Sequence, residues 1–97
     1  MDLPVNYRTL DWRKGETRAV REEYAKRQNG QCMFCANPLS GNPPNSVTEK
    51  EIDWSLFPNG KGFLRHPVHL QHDHNTNMTE GAVHAYCNAV LWQYHGR

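Results

Sequence analysis

The chain has 97 residues, only 37% of them hydrophobic, and a mean hydropathy of −0.87, so one domain with a small core is expected and a staple is needed to hold it. The formal net charge of +1 says little by itself about nucleic acid, and no run approaches the ~18–20 apolar residues of a membrane span. Three cysteines cannot all be used by disulfides, so a metal site completed by histidine in a reducing compartment is the expected staple.

Met1 to Leu10 reads as an irregular lead-in interrupted by Pro4, Asn6 and Arg8, with no signal-peptide stretch, and Tyr7 or Leu10 is available to dock on the core. A soluble, cytoplasmic protein is expected. Glu16 to Gln28 contains good helix formers and no proline. Glu22–Lys26 and Glu23–Arg27 have the favourable i,i+4 order, and Asn29-Gly30 supplies a left-handed C-cap. Arg13, Lys14, Arg18 and Arg21 project near the helix start. A solvated charged face is the commoner fate of such a run, and phosphate contact is the functional alternative.

Cys32-Met33-Phe34-Cys35 forms a knuckle in which two thiolates from one tight turn reach one tetrahedral ion, with Phe34 and Leu39 beneath it. A redox CxxC would need a following helix in a βαβ pattern, whereas Asn37-Pro38 and a loop follow here. The loop Ser40–Val47 is broken by Pro43 and Pro44. Ser46 and Glu49 match a capping box for a short helix from about Val47 to Trp54. Ile52, Trp54, Leu56, Phe57, Phe63 and Leu64 are expected to cover the core, with a dimer contact as the alternative.

Residues 66–74 predict an extended strand in which Val68, Leu70, His72 and His74 alternate with His69, Gln71 and Asp73. Asn75 to Gly81 is the connecting loop, Ala82 to Tyr86 the return strand or knuckle, and a helix follows from about Asn88, with Tyr86, Val90 and Tyr94 on one face and Gly96 at its end. His84-x-x-Cys87 completes a ligand set with Cys32 and Cys35. Buried small cysteines beside a surface histidine would be the bland account of the same residues. Histidine is suited to general-base work near neutral pH, and asparagine offers a hard oxygen suited to Mg or Mn, here at Asn88, next to a zinc ligand.

HLQHDHNTN (69–77) followed by EGAVHAYCNAVL (80–91), after an upstream CxxC, resembles the HNH, or His-Me finger (ββα-metal), nucleases. The resemblance is closest to the recombination endonuclease VII-like branch and covers a little over a third of the chain. It implies an α+β fold: a small zinc-stapled ββα-metal domain with an N-terminal and a C-terminal helix around a β-hairpin. Residues 1–30 would be arm and basic helix, and 31–97 the zinc-bound core with an insertion at about 40–65. It further implies a metal-dependent DNA endonuclease in a bacterial or phage-infected cell. His72 would be the general base and Asn88 a ligand of a catalytic Mg or Mn. Cys32, Cys35, His84 and Cys87 would hold structural zinc, with His84 replacing one of the family's cysteines. Gln71 departs from the family's aspartate, keeping an oxygen but losing the charge. Asp73 and His74 are the nearby candidates to compensate, and Asp73 could instead orient a histidine; His69, on the face of Gln71, is another. Arg13, Lys14, Arg18, Arg21, Lys61 and Arg65 are the candidate DNA contacts. Duplex or branched DNA is the expected partner, approached at the minor groove; a homodimer is possible, since one site cuts one strand. The rival expectations are a zinc-stabilised DNA-binding module that has lost catalysis and a protein-interaction zinc domain.

Overall fold

A computed structural model describes residues 1–96. Its spine is an antiparallel hairpin of β1 (Val68–His72) and β2 (Thr79–His84), flanked by α1 (Glu16–Arg27), a one-turn α2 (Asn45–Thr48) and α3 (Ala85–His95). This is a small α+β fold. The N-terminal arm is pinned to the hairpin rather than trailing from it. The Tyr7 amide donates to the Asn77 carbonyl at 2.7 Å and the Thr79 amide to the Val5 carbonyl at 2.9 Å. One-turn 3₁₀ helices at Tyr7–Thr9 and Trp12–Lys14 are capped by the side chains of Asn6 and Asp11, short polar groups that satisfy otherwise orphaned amides.

The basic helix forms where composition predicts it. Arg27 pairs with Glu23 at 2.8 Å, but Glu22 turns to Arg18 at 3.0 Å instead of to Lys26. Asn29 and Gly30 both take left-handed φ, 57° and 74°, and carry the chain into the knuckle. There the Cys32 amide donates to the Asn37 carbonyl and Met33 to Ala82 of β2. Gln28 finishes that docking: its amide group both accepts from the Ala82 N–H and donates to the Ala82 carbonyl, each at 2.9 Å, covering an otherwise open strand edge. Gly81 permits the close approach, because a Cβ there would lie 2.7 Å from Met33 Sδ and 2.8 Å from Gln28 Oε1.

The hairpin is shorter than the alternation predicts: β1 stops at His72, with a bulge between Gln71 and His72. Asp73 ends it. Its amide still donates across to the Met78 carbonyl at 2.9 Å, but its Oδ1 accepts from the Asn75 and Thr76 amides at 2.7 and 3.2 Å and its carbonyl from Asn77, which turns the chain. In compensation, β2 begins at Thr79, earlier than expected. The helix α3 begins at Ala85 rather than Asn88, directly after β2, which puts Cys87 and Asn88 in its first turn; Gly96 closes it at φ 68°.

The capping box at Ser46 does not form. The helix starts two residues earlier, at Asn45 behind Pro44, with no side-chain cap, and ends at Thr48. Side chains of α3 take the backbone groups that would have extended it: Tyr86 Oη donates to the Lys50 carbonyl, Tyr94 Oη to that of Glu51, and Gln93 accepts from the Asp53 amide. The chain then proceeds through 3₁₀ turns at Trp54–Leu56 and Gly60–Leu64. Phe57 is the buried member of this cover, its ring 4.3 Å from Trp92 and 4.7 Å from Phe63, while Leu56 is 51% exposed. The core joins Cys32, Leu39 and Val47 to Ala82, Val83, Cys87, Val90 and Leu91. No helix among the described residues is long and apolar enough to cross a membrane.

A candidate zinc centre beside an imidazole-lined cleft

Cys32 and Cys35 of the knuckle, His84 at the end of β2 and Cys87 in the first turn of α3 bring their donor atoms within 4.8 Å of one another. His84 Nδ1 is 3.4 Å from Cys35 Sγ and 3.7 Å from Cys87 Sγ. A tetrahedral zinc ion with Zn–S ~2.3 Å and Zn–N ~2.0 Å sets S···N edges near ~3.5 Å, so the spacing fits. The orientation of the imidazole fits too. Its Nε2 lies 2.8 Å from the Pro38 carbonyl, so Nε2–H donates there and the Nδ1 lone pair faces the sulfurs, the arrangement by which a backbone acceptor orients a metal-bound histidine.

The sulfurs point the same way. Cys32, accepting from the Cys87 thiol, is held down to about 4, whereas the Cys87 thiol is pushed up by that same bond and by burial; burial likewise raises Cys35. Three sulfurs at this spacing therefore favour one thiolate among themselves, while a divalent cation at their centre stabilises all of them as thiolates. The group could hold a zinc ion, and its residues span three elements far apart in sequence.

Alongside it lies a cleft of about 420 Å³. His69, His72 and His74 line it, together with Asn88 from α3, Arg21 from α1 and Tyr7 from the N-terminal arm. Phe57, Phe63 and Trp92 supply its apolar wall. Tyr7 stacks flat on His72, centroids 4.0 Å apart and planes 12° from parallel, and His74 lies 4.6 Å from His72 on another side. Burial first, and then the neighbouring His74, lower the pKa of His72 below the ordinary imidazole value. The imidazole is therefore a free base at neutral pH. His69 is held lower still, to about 4, chiefly by burial. Its Nδ1 lies 3.1 Å from Asn88 Nδ2. With the amide nitrogen donating to that ring, Asn88 Oδ1 is left as an acceptor.

The remaining candidates are placed differently. Gln71 is 1% exposed and does not line the cleft: Nε2 donates to Glu80 Oε1 at 3.0 Å, and Oε1 has no hydrogen-bond partner. Asp73 is engaged in the hairpin turn. Arg21 is the one member of the six proposed DNA contacts at the cleft wall. Arg18 pairs with Glu22, Arg13 lies over the exposed Trp12 ring, and Lys14, Lys61 and Arg65 are exposed and do not line the cleft.

A hard ion such as Mg prefers oxygen ligands in octahedral array. No carboxylate lines the cleft, and the Cys3His set is the one group of three or more His, Cys, Asp or Glu side chains with metal-binding spacing among the described residues. The cleft by itself does not fit Mg, and Asn88 is its single amide oxygen donor. The parts that sequence reasoning passed over are the stacking role of Tyr7 and the pairing of His69 with Asn88. Both are contacts between distant segments for which no local pattern exists. Comparison with protein-family models, with curated proteins and with solved structures returns no match.

Proposed function

We propose that the protein is a zinc-stapled endonuclease of the His-Me finger type that hydrolyses phosphodiester bonds in DNA, with His72 as the base that takes a proton from the attacking water. One observation carries this reading: a ring-stacked imidazole at the end of β1, its pKa lowered by burial, shares a cleft with an asparagine from the first turn of α3. The base is poised for proton abstraction near neutral pH. Arg21 supplies positive charge for a phosphate, and His69 orients the Asn88 amide. The zinc set would fix the knuckle to the hairpin and helix that carry this pair, contributing folding free energy rather than chemistry.

A second reading, a DNA-binding module with weakened catalysis, is favoured by one feature. Gln71, where the family carries an ion-binding aspartate, is buried against Glu80. Incubation of zinc-loaded protein with supercoiled plasmid in Mg, in Mn, or without either separates the two. Nicking that is lost in His72→Ala and kept in His95→Ala supports the nuclease. DNA retention with no cleavage under any of these conditions supports the second reading.

A further inference from the structure

The imidazole-lined cleft does not end at His66. A second hollow of about 360 Å³ runs on from it between α1 and the start of β1, and the two share Arg21, His66 and Val68 as a common wall. The halves differ in chemistry. Apart from Arg21, no side chain of fixed charge lines the first cleft, and Phe63, Trp92 and Tyr7 give it ring surfaces. The second is floored by Ala25, Leu39 and Pro67 and edged by Ser40 and by Glu22, whose carboxylate is paired with Arg18 at 3.0 Å. The seam is thus a ring-walled recess followed by a shared guanidinium and then a shallow continuation.

This is the sequence of surfaces that a single nucleic-acid strand requires. Bases stack on aromatic rings irrespective of their identity, and a cation follows the backbone between them. A paired base cannot enter a recess walled by side chains without leaving its stack. At about 420 Å³ the first cleft has the size of a small-molecule site, ~300–1,000 Å³. We propose that this seam binds an unpaired stretch of a DNA strand, one base lodged in the first cleft against Phe63 and Trp92 and the adjoining phosphate at Arg21. The proposal rests on the nuclease reading, since the base would then sit beside His72, and it narrows the substrate to single-stranded or locally opened DNA instead of a duplex met at its groove.

Fluorescence anisotropy of the zinc-loaded protein tests this without added Mg or Mn. The probes are a fluorescein-labelled mixed-sequence DNA strand and the same strand annealed to its complement. The single strand is expected to bind at least ~10-fold more tightly than the duplex. Phe63→Leu should weaken strand binding by about 5- to 100-fold, and Phe63→Tyr should retain it. Arg21→Gln should weaken it and reduce the slope of log affinity against log salt by roughly one. Equal or tighter duplex binding overturns the proposal, as does unchanged strand affinity in a folded Phe63→Leu. If Phe63→Leu does not fold, unchanged affinity and salt slope in Arg21→Gln overturn it. Plasmid nicking separates this inference from the reading beneath it. His72-dependent nicking with a preference for the duplex defeats the strand proposal alone. Phe63-dependent strand binding with no cleavage in Mg or Mn defeats the catalytic reading alone.

Discussion

Tyr7 lies flat against His72, with ring centroids 4.0 Å apart and planes 12° from parallel. The orientation of the proposed base is therefore set partly by the first ten residues, which backbone bonds to Asn77 and Thr79 tie to the hairpin. Such a stack is worth ~0.5–1.5 kcal/mol beyond the area it buries. Tyr7→Ala should lower kcat for plasmid nicking by about 3- to 10-fold with a smaller change in thermal stability. Tyr7→Phe, which keeps the ring, should retain activity. Equal rates for Tyr7→Ala and the unmodified protein would remove the arm from the site.

An acid limb for the proposed reaction follows from the proposed base. As the proposed base, His72 would work unprotonated, and burial together with His74 moves its pKa below 6.5. Activity should therefore be fully present above that value and fall as pH drops through the depressed one. His74→Ala removes the second cause and should shift the limb upward, toward the ordinary imidazole value. His69, at about 4, gives a direct check by NMR titration. Its linkage to stability has a definite sign. An imidazole that titrates lower when folded leaves stability unaffected above pH 6.5. Between 6.5 and about 4 the unfolded chain takes up the proton first, so stability declines, by an amount approaching roughly 3 kcal/mol. A His69 resonance titrating near 6.5 would contradict the burial that holds it.

Gly81 is the point at which knuckle and hairpin come closest. Gly81→Ala places a methyl 2.7 Å from Met33 Sδ and 2.8 Å from Gln28 Oε1, and should destabilise the protein by about 1–3 kcal/mol in chemical denaturation. Because Met33 is a flexible neighbour, Met33→Ala in the same chain should recover part of the loss. Full stability of Gly81→Ala alone would show that the approach is looser than described.

Gln71 offers a test of opposite sign to the one the resemblance suggests. Introducing by Gln71→Asp the aspartate of the nucleases the sequence resembles would not create a cleft ligand, because the position is buried and Gln71 bonds to Glu80. It would set two carboxylates together in a poorly solvated place, at a cost of about 2–4 kcal/mol. Glu80→Gln in the same chain should recover much of that cost. An increase in Mg affinity or nicking rate from Gln71→Asp alone, without loss of stability, would contradict this placement.

The parts of the molecule legible in the sequence are those governed by local spacing. CxxC and HxxC each put two donors on one turn, and the structure brings the pairs together. The formers and cap of residues 16–30, the alternation after Pro67 and the glycine at 96 marked α1, the hairpin and the end of α3. What could not be read depends on competition between distant groups. The helix after Ser46 is cut short because α3 side chains take the carbonyls of Lys50 and Glu51 and the amide of Asp53. β1 is short because the Asp73 carboxylate competes for its own turn. Nothing near Gln71 announces Glu80 as its partner, and nothing near Tyr7 announces His72.

In the proposed enzyme one cation would fasten Cys32 and Cys35 to His84 and Cys87 and thereby present His72 to the cleft. A zinc titration of chelator-treated protein, followed by NMR of the His72 imidazole, measures both at once. The prediction is that one equivalent per chain folds the domain, moves His72 from an unfolded to a dispersed resonance and depresses its pKa, and that Cys87→Ser abolishes the response or weakens it at least ~10-fold. A metal-free chain that already shows the dispersed, low-titrating His72, or saturation that is indifferent to Cys87, would contradict it.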